Sequence, residues 1–136
     1  MTRHAASRRP PRWSGRPSER GSVSIQMVVL MPVLFGIVFL ALQASLYYYA
    51  ATVAGAAAQD GARAAAAHRS AGIGAGTAAA LSALDQSRGS LSNYDVTGTA
   101  GVGGPTVTVS GETLSVVPGM VFTVSRSATL PWERPS

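Results

Sequence analysis

The chain has 136 residues and a mass of 13.9 kDa, room for one small domain, which excludes an ordinary multi-domain enzyme. Its 11 cations are all arginine and stand against 6 acids, a formal net charge of +5. Six of these arginines lie in residues 1–20, where Glu19 is the only acid, and the rest of the chain balances, so this is a neutral protein with a basic leader. Cysteine is absent and histidine occurs only at His4 and His68, which removes disulfides, thiolate chemistry and nearly every transition-metal site.

Residues 1–20, MTRHAASRRPPRWSGRPSER, combine arginine, proline, serine and glycine with Trp13 as the only large apolar group, and that composition predicts disorder. A switch follows at Gly21. From Met27 to Leu42 no side chain is charged or a strong hydrogen-bonding group, and the run extended through Val23 and Leu46 is long enough for a hydrocarbon core of about 30 Å. Residues 22–46 are therefore read as a transmembrane helix. Arginines cluster before the span and none follows until Arg63, which places the N-terminus in the cytoplasm and the C-terminal two thirds outside. Tyr47, Tyr48 and Tyr49 fall where the span leaves the hydrocarbon, each with an apolar ring and a polar tip. Within the span Pro32 removes the hydrogen bond to the Val28 carbonyl, and Gly36 offers room for a close neighbour.

Residues 47–69, in which Ala50–His68 are mostly alanine, extend the span into one helix of roughly 65 Å. Ala50, Ala54, Ala58 and Ala62 make a smooth ridge at i,i+4 spacing, with Ala51 and Gly55 beside it, open to the close approach of another backbone. Asp60 and Arg63 are spaced to pair at i,i+3. Ser70–Thr77, SAGIGAGT, reads as a linker or turn ending that helix. Thr77–Arg88 reads as a short amphipathic helix, N-capped by Thr77 and closed by Gly89. Beyond Asn93 the period falls to two, at Tyr94 and Val96, Val107 and Val109, Leu114 and Val116, then Phe122 and Val124. Gly103-Gly104-Pro105, Gly111 and Pro118-Gly119 separate these runs, predicting a meander of about four antiparallel strands. The fold class is thus an α+β membrane protein: a long transmembrane helix, a short helix and a small antiparallel β-meander, with residues 70–136 as the extracytoplasmic region.

The residues offer little chemistry. No G-x-S-x-G surrounds any serine, His68 stands on an alanine helix without a nucleophile beside it, and Asp60, Asp85, Asp95, Glu112 and Glu133 are scattered singly. No catalytic, cofactor or metal site is assigned, and the chain is expected not to be an enzyme. The glycines of Ser70–Thr77 follow no strand and precede no lysine, unlike a phosphate-binding loop. The arginine leader suits membrane topology and anionic lipid better than any specific nucleic acid. Ser7-Arg8-Arg9 is followed by Pro10-Pro11-Arg12 where a twin-arginine signal has apolar residues, and the apolar run exceeds the length of an ordinary secretory signal.

Arg20-Gly21-Ser22-Val23-Ser24-Ile25-Gln26, then Met31-Pro32 inside the apolar run, then Ala58-Gln59-Asp60-Gly61-Ala62-Arg63, together resemble the TadE family of the tight-adherence pilus system. The resemblance covers residues 20–69, with Ser125–Thr129 matching loosely. It implies a pseudopilin in which Gly21 is the last leader residue and Ser22 the first mature one, cut on the cytoplasmic side by a prepilin peptidase. The partners it implies are membrane lipid, that peptidase, other pilin-like subunits and pilus assembly proteins. Gln26 stands where the family has Glu, and Gln43 near a second Glu of many members. In pilin-like assembly the acid meets a neighbouring subunit's N-terminal amine, a contact Gln26 makes without a charge. The resemblance implies assembly through Gln26, Pro32, Gly36 and the Ala58–Arg63 motif. The alternative is an unprocessed membrane anchor displaying a small extracytoplasmic binding module.

Overall fold

The computed structural model describes residues 19–67 and 72–132. Helix α1 spans Glu19–Ala67, helix α2 Gly72–Gln86, and three strands follow: β1 Leu91–Gly101, β2 Gly104–Thr113 and β3 Phe122–Thr129. The chain divides into two compact units, residues 1–35 and 36–136. The disorder expected of residues 1–20 lies outside the described residues up to residue 18, as does His68, while Glu19 and Arg20 are helical.

In the first unit the described residues belong to α1 alone, and every side chain from Ser24 to Phe35 is exposed. Helical backbone runs through Pro32. The helix starts at Glu19, three residues ahead of the expected boundary at Ser22.

In the second unit the sheet has the order β1-β2-β3, antiparallel throughout. β2 is central and alternates cleanly: Pro105, Val107, Val109, Gly111 and Thr113 are buried while Thr106, Thr108, Ser110 and Glu112 are partly open. That period of two is the mark of a sheet with one face on a core and one on solvent. On the solvent face Thr106 and Thr129 bond hydroxyl to hydroxyl at 2.6 Å across β2 and β3. The core joins Val107, Val109 and Val124 of the sheet to Ala50, Ala54, Ala58 and Ala62 of α1 and to Ala80 and Leu84 of α2. Alanine methyls bury little area each, so this core depends on close backbone approach.

Three expectations change. The glycine run is helical from Gly72 onward, not a linker, and Thr77 is a helix-interior residue whose hydroxyl donates to the Gly74 carbonyl at 3.1 Å. The reason is packing: a Cβ on Gly76 would lie 2.7 Å from the Gly61 carbonyl oxygen and 2.8 Å from Ala65 Cβ, so glycine is what lets α2 meet α1. The fourth strand, expected around Leu114 and Val116, is a loop, because its backbone bonds to the Gln43 side chain rather than to a strand. Pro105 belongs to β2, and the hairpin turn contracts to Val102-Gly103 between paired Gly101 and Gly104. Gly89, with φ of +83°, follows the end of α2 as expected of a C-terminal glycine.

Tyr94 of β1 donates its hydroxyl to Asp85 Oδ1 of α2 at 2.8 Å. That hydrogen bond to the carboxylate, reinforced by its charge, raises the phenol above its ordinary value. The tie holds below the ordinary tyrosine range and is lost as pH climbs through the raised value. In Asp85→Asn the Tyr94 phenol is expected to titrate at lower pH than in the parent chain, read from its ring-carbon chemical shift.

Candidate assembly surface

The first stretch of α1 is an apolar rod without a cover. Ile25, Val28, Val29, Leu30 and Phe35 are each more than half exposed, and Gln26 lies among them, also exposed. A folded protein does not leave such a contiguous apolar surface to water, since each large side chain forgoes about 1.5–3 kcal/mol of burial. Ser24–Ala67 is the one helix among the described residues long and apolar enough to cross a membrane. Gly21 and Ser22 occupy the first turn of α1. A Cβ at Gly36 would meet nothing within 4 Å, leaving that position open to a neighbour.

The apolar character continues in the second unit through Ile37, Val38, Phe39, Leu40 and Leu42, all exposed. It stops at Gln43, whose side chain is only 7 % exposed. Gln43 Oε1 accepts from the Val116 backbone N–H at 2.9 Å, and its Nε2 donates to the Leu114 carbonyl at 3.4 Å. The Ser115 hydroxyl lies 3.4 Å from Gln43 Oε1 and 3.0 Å from the Val117 carbonyl. An amide, with an acceptor and a donor on one plane, can pair with a backbone N–H and C=O together. The sequence marked Gln43 only by its position near a familial Glu. The signal that could have found its role is a lone amide ending a long apolar run, where a partner is needed. Just beyond it Tyr48 and Tyr49 are well exposed.

The downstream motif divides by face. Ala58 and Ala62 are fully buried, and a Cβ on Gly61 would fall 2.7 Å from the Gly76 carbonyl oxygen and 3.0 Å from both Ala80 Cβ and Val107 Cγ1. Gln59, Asp60 and Arg63 face outward, with Arg63 Nη1 3.3 Å from Asp60 Oδ1. Both side chains of that pair are more than half exposed, so it contributes little to stability. The alanine ridge at positions 50, 54, 58 and 62, expected to admit another backbone, is covered by this chain's own core. Among the surfaces that stay open on this part of α1 is a shallow groove lined by Tyr48, Thr52, Gly55, Ala56 and Gln59, with Arg126 of β3 at its side. Among the described residues no three or more His, Asp or Glu side chains gather as metal ligands do.

The family model described as TadE-like protein matches residues 21–63, from Gly21 to the arginine that closes the outward half of the motif. Neither a curated protein nor a solved structure matches the chain.

Proposed function

We propose, because residues 21–63 are a TadE-like segment, that this protein is a non-enzymatic pseudopilin of a tight-adherence type pilus or a related surface apparatus. The observation that carries the reading is the coincidence of that segment with an uncovered apolar helix: the match begins at Gly21, and the exposed rod follows directly. α1 crosses the cell membrane with its basic leader in the cytoplasm and residues 70–136 outside. A prepilin peptidase cuts between Gly21 and Ser22, leaving the apolar helix on the mature protein. Assembly then transfers the rod from lipid into a bundle of like helices, with Gly36 allowing close contact and Pro32 a local loosening. The Ala58–Arg63 motif serves the reading in two ways: its small residues hold the subunit's own fold, and Gln59, Asp60 and Arg63 face outward, toward the other subunits.

The test is the N-terminus of the membrane-fraction protein, mapped by mass spectrometry in cells with and without a prepilin peptidase. A start at Ser22 that needs the peptidase is expected. An intact N-terminus in both strains would overturn the reading in favour of an unprocessed anchor displaying its outer domain.

Gln26 bears on the subunit's rank in the assembly. A carboxylate facing a neighbour's N-terminal amine in hydrocarbon gains a charge-assisted bond roughly twice as strong as the neutral one an amide makes. A minor or priming role fits the weaker contact. Gln26→Glu is therefore expected to raise the fraction of this protein in sheared, pelletable filaments, measured by quantitative blotting against the parent chain.

A further inference from the structure

The loop joining β2 to β3, residues 114–121, carries an apolar surface that the fold leaves uncovered. Leu114 is 56 % exposed, Met120 56 % and Val121 66 %, and no charged residue occurs from Thr113 to Ser125. Its tip is a turn in which the Met120 N–H donates to the Val117 carbonyl at 3.3 Å, with Pro118 and a positive-φ Gly119 at the centre. Water is the wrong environment for three large side chains displayed on a short loop.

The fold also sets where this loop stands along α1. Val107 of β2 packs at Gly61, while the backbone just past the other end of β2 is held by Gln43. The sheet therefore lies alongside α1, with its 114–121 end at Gln43 and its Val102 hairpin at the opposite end. Gln43 and Gly61 are 18 residues apart, about 27 Å along a helix. Gln43 follows directly on exposed Leu40 and Leu42 and precedes the exposed tyrosines by about 6 Å. The loop is thus tied to the level at which the apolar stretch of α1 ends.

We propose that the β2–β3 loop is a second membrane contact: Leu114, Met120 and Val121 enter the bilayer interface at the Gln43 end of the span. The inference rests on the reading that α1 crosses the membrane. The occupant is lipid because the loop's apolar surface continues that of the helix at the same level, and because no charge in the loop resists entry. The interface, not the hydrocarbon centre, is the fitting depth, since irregular backbone needs partners that headgroup water supplies. Gln43 and the Val117–Met120 turn satisfy part of that backbone themselves. Two attachments, one helix and one loop, fix the rotation of the outer domain about the helix axis, which a single span leaves free.

The natural absence of cysteine permits single labels. Leu34→Cys, Val102→Cys, Met120→Cys and Val121→Cys, each in the full chain, are labelled with an environment-sensitive nitrobenzoxadiazole and reconstituted into vesicles of phosphatidylethanolamine and phosphatidylglycerol. The expected result is a blue-shifted emission at Leu34 and at either loop position, with loop fluorescence lost to lipids carrying a shallow nitroxide, and aqueous emission at Val102. Aqueous emission at both loop positions with a blue-shifted Leu34 overturns the loop contact and leaves the span intact. A blue shift in the loop that no lipid nitroxide quenches also overturns it, since a protein neighbour then covers the loop. Aqueous emission at Leu34 overturns the span and the loop contact together.

Discussion

Gly76→Val is expected to lower the stability of the folded chain by about 2–3 kcal/mol through overpacking, while Gly55→Ala raises it by about 1 kcal/mol through helix propensity. Both glycines sit inside helices, and propensity alone favours replacing either. The difference lies in what a side chain would meet. At Gly55 a Cβ finds nothing within 4 Å, so the gain in backbone order comes free of strain. At Gly76 the first added carbon would already press on the Gly61 carbonyl oxygen at 2.7 Å and on Ala65 Cβ at 2.8 Å, and both belong to α1. Backbone and a Cβ cannot rotate away, so α2 must retreat and uncover Val107, Ala80 and the alanines they seal. Thermal unfolding of the full chain in a mild detergent, followed by circular dichroism, reads both shifts. Equal melting points for the two variants would show that α1 and α2 are not in close contact.

Gln43→Leu carries the second large effect. The substitution keeps the size and apolar setting of the position but leaves the Val116 N–H and the Leu114 carbonyl without the amide that now pairs them. Two part-buried hydrogen bonds are lost, each with a net worth of about 0.5–1.5 kcal/mol. The release is local as well as global, because Gln43 is what holds residues 114–116 to α1. Thermolysin, which cuts before large apolar residues, is expected to cleave the detergent-solubilised variant within residues 114–121 at a protein-to-protease ratio that leaves the parent chain intact. Gln59→Leu makes the same chemical change at an exposed glutamine and is expected to alter stability by no more than about 0.5 kcal/mol. Similar cleavage of the two variants would remove the special role of Gln43.

Much of the architecture can be read along the chain because the signals are local. The apolar run and the alanine tract dictate a long helix through composition alone, since alanine has the best helix propensity and lipid demands a self-satisfied backbone. Thr106 to Thr113 alternates as a half-buried strand must, and Pro118-Gly119 marks a turn that the structure contains. The TadE-like match over residues 21–63 rests on the same stretch whose motifs carried the resemblance.

Other features were illegible for a definite physical reason. Ser70–Thr77 has the composition of a linker, yet Gly72 onward is helix, because contact with α1 rewards the absence of a side chain by more than glycine's propensity costs. Leu114 and Val116 have the spacing of a strand, yet a glutamine 71 residues away takes the backbone bonds a neighbouring strand would have used. The alanine ridge has the look of a surface for another subunit, and its own chain occupies it.

What the sequence by itself determined, then, is the apolar rod, the basic stretch before it, the helical and extended periods, and the TadE-like segment, all set by side-chain chemistry acting over a few residues. Only the tertiary structure decided which small residues are consumed in the core, where the β2–β3 loop is tied, and which part of α1 remains uncovered. Those outcomes depend on contacts between residues far apart in the chain, and a side chain as small as glycine or alanine carries no local mark of the neighbour it admits.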